Sequence, residues 1–212
     1  MGNTKRVILE AALELFSVQG YEATSIAQIA DAVGVRKSSL YSHFDGKQAI
    51  LDALVQEALE QYDKHSMFAR AHWDEDDAYK LDMTPDAALR AVQEHLRYIL
   101  HDPQISRMRR LLTIEQFRNP ALRELQTKQS YTNIMGYFTG LVRFLIRRGT
   151  LAGGDPESMA AQLCLPVSVW IGLCDRAPER EAEVMELVER HVRQFFQAYA
   201  AGAQPSKGEN KQ

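Results

Sequence analysis

The chain has 212 residues, 45% of them hydrophobic and 25% charged, with a formal net charge of −3. That is apolar material enough for one large domain or two small ones. It excludes a chain basic throughout, so any surface for nucleic acid must be local. The two cysteines, Cys164 and Cys174, exclude a disulfide framework and a CxxC metal site; on one helix they stand about 15 Å apart along the axis and read as small buried residues of a reducing cytoplasm.

The N-terminal stretch MGNTKRVILEAALELF lacks the long apolar core of a signal peptide. Strand signals are nearly absent and helical periodicity runs almost throughout, so the expected fold is all-α. Val7, Ile8, Ala11, Ala12, Leu15 and Phe16 make the stripe of a first helix that Gly20 ends with a left-handed cap. Thr24 or Ser25 is the N-cap of a second, with Gln28 three or four residues on. A third covers about residues 37–44, and Asp45, Gly46 and Lys47 open a fourth, over about 46–64.

The stretch 65–83, with Trp73 and the acidic run 74–77, reads as a loop or loose helix. His72, Asp74 and Glu75 there read as solvated loop rather than metal ligands. Thr84-Pro85 opens a helix to about His101, and another runs from about 104 to 117. A single long helix is expected over about 121–148, closed by Arg147, Arg148 and Gly149. Asp155-Pro156 opens an apolar helix in which Pro166 predicts a kink. Its apolar run, 159–174, is too short for a membrane span. The last helix, about 179–200, carries the stripe Val184, Leu187, Val188, His191, Val192, Phe195 and Tyr199, and the polar tail 202–212 reads as disordered. That makes about nine helices.

Residues 33–44, VGVRKSSLYSHF, pose the functional question. Ile29 and Val33 face inward from one short helix, Ala30 sits where it crosses the next, Gly34 supplies the positive φ of a tight turn, and Val35 and Leu40 fill the core from the other side. Arg36, Lys37, Ser38, Ser39, Tyr41, Ser42 and His43 are left at the turn or outside. A helix so placed enters the DNA major groove, with arginine or lysine for guanine edges and hydroxyls for phosphates. The bases are local: residues 1–47 hold five (Lys5, Arg6, Arg36, Lys37, Lys47) against five acids. A solvated polar helix that never meets DNA is the bland alternative.

The segments TSIAQIADAVGV from Thr24, SLYSHF from Ser39 and GKQAIL from Gly46 together resemble the DNA-binding domain of the TetR family of transcriptional regulators, over about residues 4–55. The resemblance implies phosphate contacts from Thr24 and Ser25, base contacts from Lys37, Ser38 and Ser39, phosphate or base contacts from Tyr41 and His43, and a phosphate at Lys47. Arg36 and Ser38 depart from the commonest pattern, where Ser and Gly are frequent. It implies domains at 1–47 (helix-turn-helix) and 48–201 (effector binding and dimerisation), helix four connecting them and carrying the effector's signal. It further implies a homodimer on a palindromic operator, more often repressor than activator, released by a small molecule.

In the second domain, aromatics and methionines at helical spacing suit either a core or an apolar pocket. If a pocket, Tyr98, Arg109, Gln116, Tyr131, Met135 and Trp170 are the candidate lining. Val184, Leu187, Val188, Val192 and Phe195 are expected against the partner subunit. No zinc spacing, GxSxG, GxGxxG or Walker loop occurs, so neither an enzyme nor a cofactor or metal is expected. The rival class is a helical small-molecule carrier whose N-terminal unit never meets DNA. A cytoplasmic protein without a membrane partner is expected.

Overall fold

The computed structural model describes residues 3–65 and 84–201. The expected loop with Trp73 and residues 74–77, the His72–Asp74–Glu75 group and the tail 202–212 lie outside them. Among the described residues the α-helices are α1 (Asn3–Gln19), α2 (Ile26–Val33), α3 (Lys37–Tyr41), α4 (Lys47–His65), α5 (Pro85–His101), α6 (Pro103–Glu115), α7 (Pro120–Thr127), α8 (Asn133–Arg147), α9 (Pro156–Arg176) and α10 (Glu181–Ala198). A five-residue π turn, Lys128–Thr132, joins α7 to α8. Counted as one helical run, these three make the total nine, as expected.

Helix starts follow local chemistry. Ser25 caps α2 in a reciprocal box with Gln28, whose side chain accepts the Ser25 N–H at 2.8 Å. Asp102-Pro103, Asn119-Pro120 and Asp155-Pro156 each put an accepting side chain at the N-cap and proline at the first helical position, where no N–H is missed. Gly34 ends α2 at φ 75°, and the Val35 N–H closes back on the Ala30 carbonyl at 3.0 Å. The long helix expected over 121–148 is interrupted where Thr127 and Ser130 donate to the carbonyls of Arg123 and Gln126 at 2.9 and 2.7 Å, competing with the backbone ladder.

The chain forms two compact units, residues 1–70 with 97–133, and 71–96 with 134–212. In the first, Ile8, Leu9, Ala12, Leu13 and Phe16 of α1 share one buried cluster with Ile29 and Ala30 of α2, Leu40, Ile50, Leu51 and Leu54 of α4, Met108, Leu111 and Leu112 of α6, and Leu122 and Leu125 of α7. The helix-turn-helix is therefore not closed at residue 47 as a packing unit: α6 lies along α1, where Arg107 pairs with Glu14. The stripe of α1 has two sides to cover, one facing α2 and α4 and the other α6.

In the second unit α9 packs on α10, and a single antiparallel bridge, Leu151 to Ala200, ties the turn after α8 to the chain end of α10. Val184, Val188, Val192 and Phe195 are buried inside this protomer, at 5% exposure or less, instead of awaiting a partner; Leu187 alone of the expected set is half-buried. They form the core face of α10, and an apolar stripe reads alike whether it covers its own fold or a second chain. The helix α9 runs through Pro166 for 21 residues, and by length and composition it is apolar enough to cross a membrane, contrary to the shorter run read from sequence; only 28% of its most apolar window is buried.

Candidate nucleic-acid interface

The five-residue α3 has one deep anchor, Leu40, fully buried, with Phe44 buried just beyond its end. Lys5 of α1 sits 5.6 Å from the Phe44 ring centroid, placing another cation beside this end. Everything else on α3 faces out or half out. Arg36, Lys37, Ser38, Tyr41 and Ser42 are exposed, Tyr41 at 54%, while Ser39 and His43 are half-buried. Arg36 occupies the N-cap at φ −74°, ψ 149° and is exposed, and a guanidinium, which has only donors, leaves the helix start without a side-chain cap. The Ser42 hydroxyl donates to the Ser39 carbonyl at 2.6 Å and shields that carbonyl at the helix end.

Two of the remaining expected contacts differ from each other. Ser25 is exposed at the start of α2, its oxygen accepting the Gln28 N–H at 3.2 Å. Thr24 is turned inward: it is 1% exposed, its hydroxyl donates to the Gly20 carbonyl at 2.8 Å and accepts from Gln19 Nε2 at 3.0 Å. A hydroxyl committed to both its donor and an acceptor role below the surface cannot meet a phosphate. Thr24 is a structural residue of the α1–α2 turn.

Lys47, at the first position of α4, is half-buried. Its ammonium donates to the Tyr21 carbonyl at 2.8 Å and the Glu22 carbonyl at 3.3 Å, and lies 4.2 Å from the Tyr21 ring centroid. An ammonium has three donors, so the two carbonyls leave one N–H outside these hydrogen bonds. Burial, followed by the charges of Glu22, Asp52 and Glu115, pushes the Tyr21 phenol above its ordinary value and keeps it neutral.

Tyr21 and Glu115 were not singled out for this turn from sequence. Gly20 is the signal that could have found them. Its φ of 85° suits a glycine, and a Cβ there would also stand 2.9 Å from Glu115 Oε1, so a side chain must approach from far along the chain. Nothing in local spacing tells which.

The six candidate effector residues do not fall together in one unit. Tyr98, Arg109, Gln116 and Tyr131 belong to the first, Met135 and Trp170 to the second. Arg109 Nη1 donates to the Ile99 carbonyl at 2.6 Å and so closes the end of α5, and Gln116 Nε2 donates to the Thr113 carbonyl at 2.9 Å. Tyr98 and Tyr131 are exposed. Met135 meets the Cys164 thiol, 3.7 Å between sulfurs, and burial raises that thiol to about 11, leaving it unreactive at neutral pH. Trp170 stands edge-on to His191 with centroids 5.5 Å apart. An open groove beside the π turn, lined by Pro120, Arg123, Glu124, Thr127, Lys128, Thr132 and Asn133, holds none of the six.

Residues 8–54 match the bacterial regulatory proteins of the tetR family, and residues 87–201 match the AefR-like transcriptional repressor C-terminal domain, more than half of the chain. The chain belongs to the TetR family of transcriptional regulators. Among curated proteins it is similar to the HTH-type transcriptional regulator SrpR of Pseudomonas putida, 26% identical over 152 residues, which is 70% of this chain and 63% of SrpR. The matched segment thus spans less than two thirds of that relative. Among solved structures, SmeT, the repressor of the Stenotrophomonas maltophilia multidrug efflux pump SmeDEF, covers 100% of this chain and 97% of its own at 17% identity and TM-score 0.65. The flavonoid-responsive regulator FrrA covers 96% and 100% at 23% identity and TM-score 0.57. These two likenesses establish the TetR fold; the exposed donor face of α3 is the part of that fold available to DNA.

Proposed function

We propose that this TetR-family chain is a homodimeric repressor that binds a palindromic operator and is released by a small molecule. The observation that carries the reading is α3: a helix with one fully buried side chain and an outer face of Arg36, Lys37, Ser38, Ser39, Tyr41, Ser42 and His43. In this reading Lys37, Ser38 and Ser39 reach base edges, Arg36, Tyr41, Ser42 and His43 reach bases or phosphates at the groove's edges, and Ser25 and Lys47 hold the backbone. Residues 1–47 make the DNA-reading part, 48–201 the sensing and pairing part, and the protein works in the cytoplasm where its DNA is.

Pairing falls to the outer face of α9. Val169 on it is 66% exposed, and Leu165, Pro166, Val167, Trp170 and Leu173 are half-buried. An apolar surface of this extent on a protein outside a membrane calls for a partner, and a two-fold copy of the same face supplies one. Repression is supported by the AefR-like repressor match and by the likeness to SmeT; release by a small molecule is supported by the likeness to FrrA, a flavonoid-responsive regulator. The effector acts by preferring one arrangement of the two helix-turn-helix units.

The test is selection of bound fragments from the native genome, followed by gel shift on the recovered sequence with and without compounds found by thermal shift. A palindromic consensus that some compound dissociates is the expected result. Binding of compounds without any enrichment of DNA would instead fit a carrier protein.

A further inference from the structure

Three elements meet in the turn between α1 and α2, and one residue joins them. Glu115 ends α6, and its side chain, 1% exposed, accepts the Tyr21 backbone N–H on Oε1 at 2.9 Å. A charge-assisted bond of this kind, shielded from water, is costly to leave unmade. The contact is closely fitted, because a Cβ at Gly20 would lie 2.9 Å from that oxygen and 3.4 Å from Ile114 Cγ2. On its other side Tyr21 holds the first turn of α4: its carbonyl and ring receive the Lys47 ammonium, and its hydroxyl donates to Gln48 Oε1 at 2.9 Å. Its ring also meets Phe16 edge-on at 5.3 Å, which fixes it to the core of α1. The end of α6 and the first turn of α4 thus share Tyr21 as a common partner.

We propose that Glu115 is a positioning residue for DNA binding, holding Lys47 in register for its phosphate through Tyr21, so that α6 controls that contact directly. The proposal rests on the reading of Lys47 as a phosphate ligand.

The experiment uses the full chain on a mixed-sequence duplex DNA, with affinity measured as a function of salt. Each lost phosphate contact flattens the log–log slope by about 0.9. Glu115→Ala is expected to flatten it by that amount per subunit, as Lys47→Ala does. Glu115→Gln, which keeps an oxygen acceptor for the Tyr21 N–H, should restore the wild-type slope, and the double variant should be no flatter than Lys47→Ala alone. A wild-type slope in Glu115→Ala, a flattened slope in Glu115→Gln, or an additive double variant overturns the proposal. Should Glu115→Ala lose its helical circular dichroism, Glu115→Leu, which fills the space but accepts nothing from the Tyr21 N–H, tests the same link, and a wild-type slope there is equally fatal. Failure of the underlying reading looks different: Lys47→Ala itself keeps the wild-type slope, or wild type shows no salt-dependent binding.

Discussion

Thr24 and Ser25 are adjacent hydroxyls with opposite fates, and the α1–α2 turn explains the difference. Ser25 has extended backbone at φ −104°, ψ 155° and stands at the N-cap, where its oxygen serves Gln28 and remains at the surface. Thr24 one residue earlier points into the turn and ties Gly20 to Gln19. Thr24→Val should destabilise the fold by about 1–3 kcal/mol, through the buried carbonyl it abandons, and leave the salt dependence of DNA binding unchanged. Urea denaturation and a salt titration of the same variant measure the two effects. Lys37→Ala should leave stability intact, cost about 1–3 kcal/mol on the operator and relax discrimination at one position per half-site; binding to a panel of single-base operator variants is the check. That a hydroxyl stood at the start of α2 was legible in the sequence. Which of two neighbours faced out was not, because it depends on Gln19 and Gly20 closing around Thr24.

At the scale of elements, starts and stops were legible because they are local. Capping residues followed by proline at 102–103, 119–120 and 155–156, and glycine at 20, 34 and 149 with positive φ, are decided within four or five residues. Faces were less legible. The α10 stripe was read as an interface and is core, and α6 was not assigned to the helix-turn-helix at all, because both depend on which distant helix arrives. The π turn carries no breaker residue and lies where Thr127 and Ser130 donate to carbonyls four residues back. In α5, burial holds His95 below its ordinary value of 6.5. Below 6.5 the unfolded chain then binds a proton that the folded chain resists, so this residue's contribution to stability falls as pH drops toward the depressed folded value. His95→Gln should lessen the decline in melting temperature between about pH 6.5 and 5, read by calorimetry beside wild type.

For the whole molecule, the exposed face of α9 and the buried face of α10 make opposite predictions. Val169→Asp should leave a folded protomer, halve the mass seen by light scattering and abolish operator binding, since a single half-site contact is weak. Val188→Asp should instead unfold the second unit, burying an unpaired charge where exposure is 0%, and circular dichroism separates the two outcomes. A ligand that shifts the dimer's arrangement by about 1–3 kcal/mol weakens operator binding roughly 5–150-fold, and operator must weaken the ligand by the same factor; calorimetry with and without operator checks that equality. The claim beneath all of these is that α3 reads DNA as one of a two-fold pair. Footprinting on a genome-selected fragment measures it most directly. Two protected half-sites about 34–36 Å apart, or a multiple of that, are expected in one palindrome, with Lys37→Ala losing base discrimination in both. A wild-type protein that enriches no fragment over random duplex, or an operator bound equally well by Lys37→Ala and Val169→Asp, would contradict it.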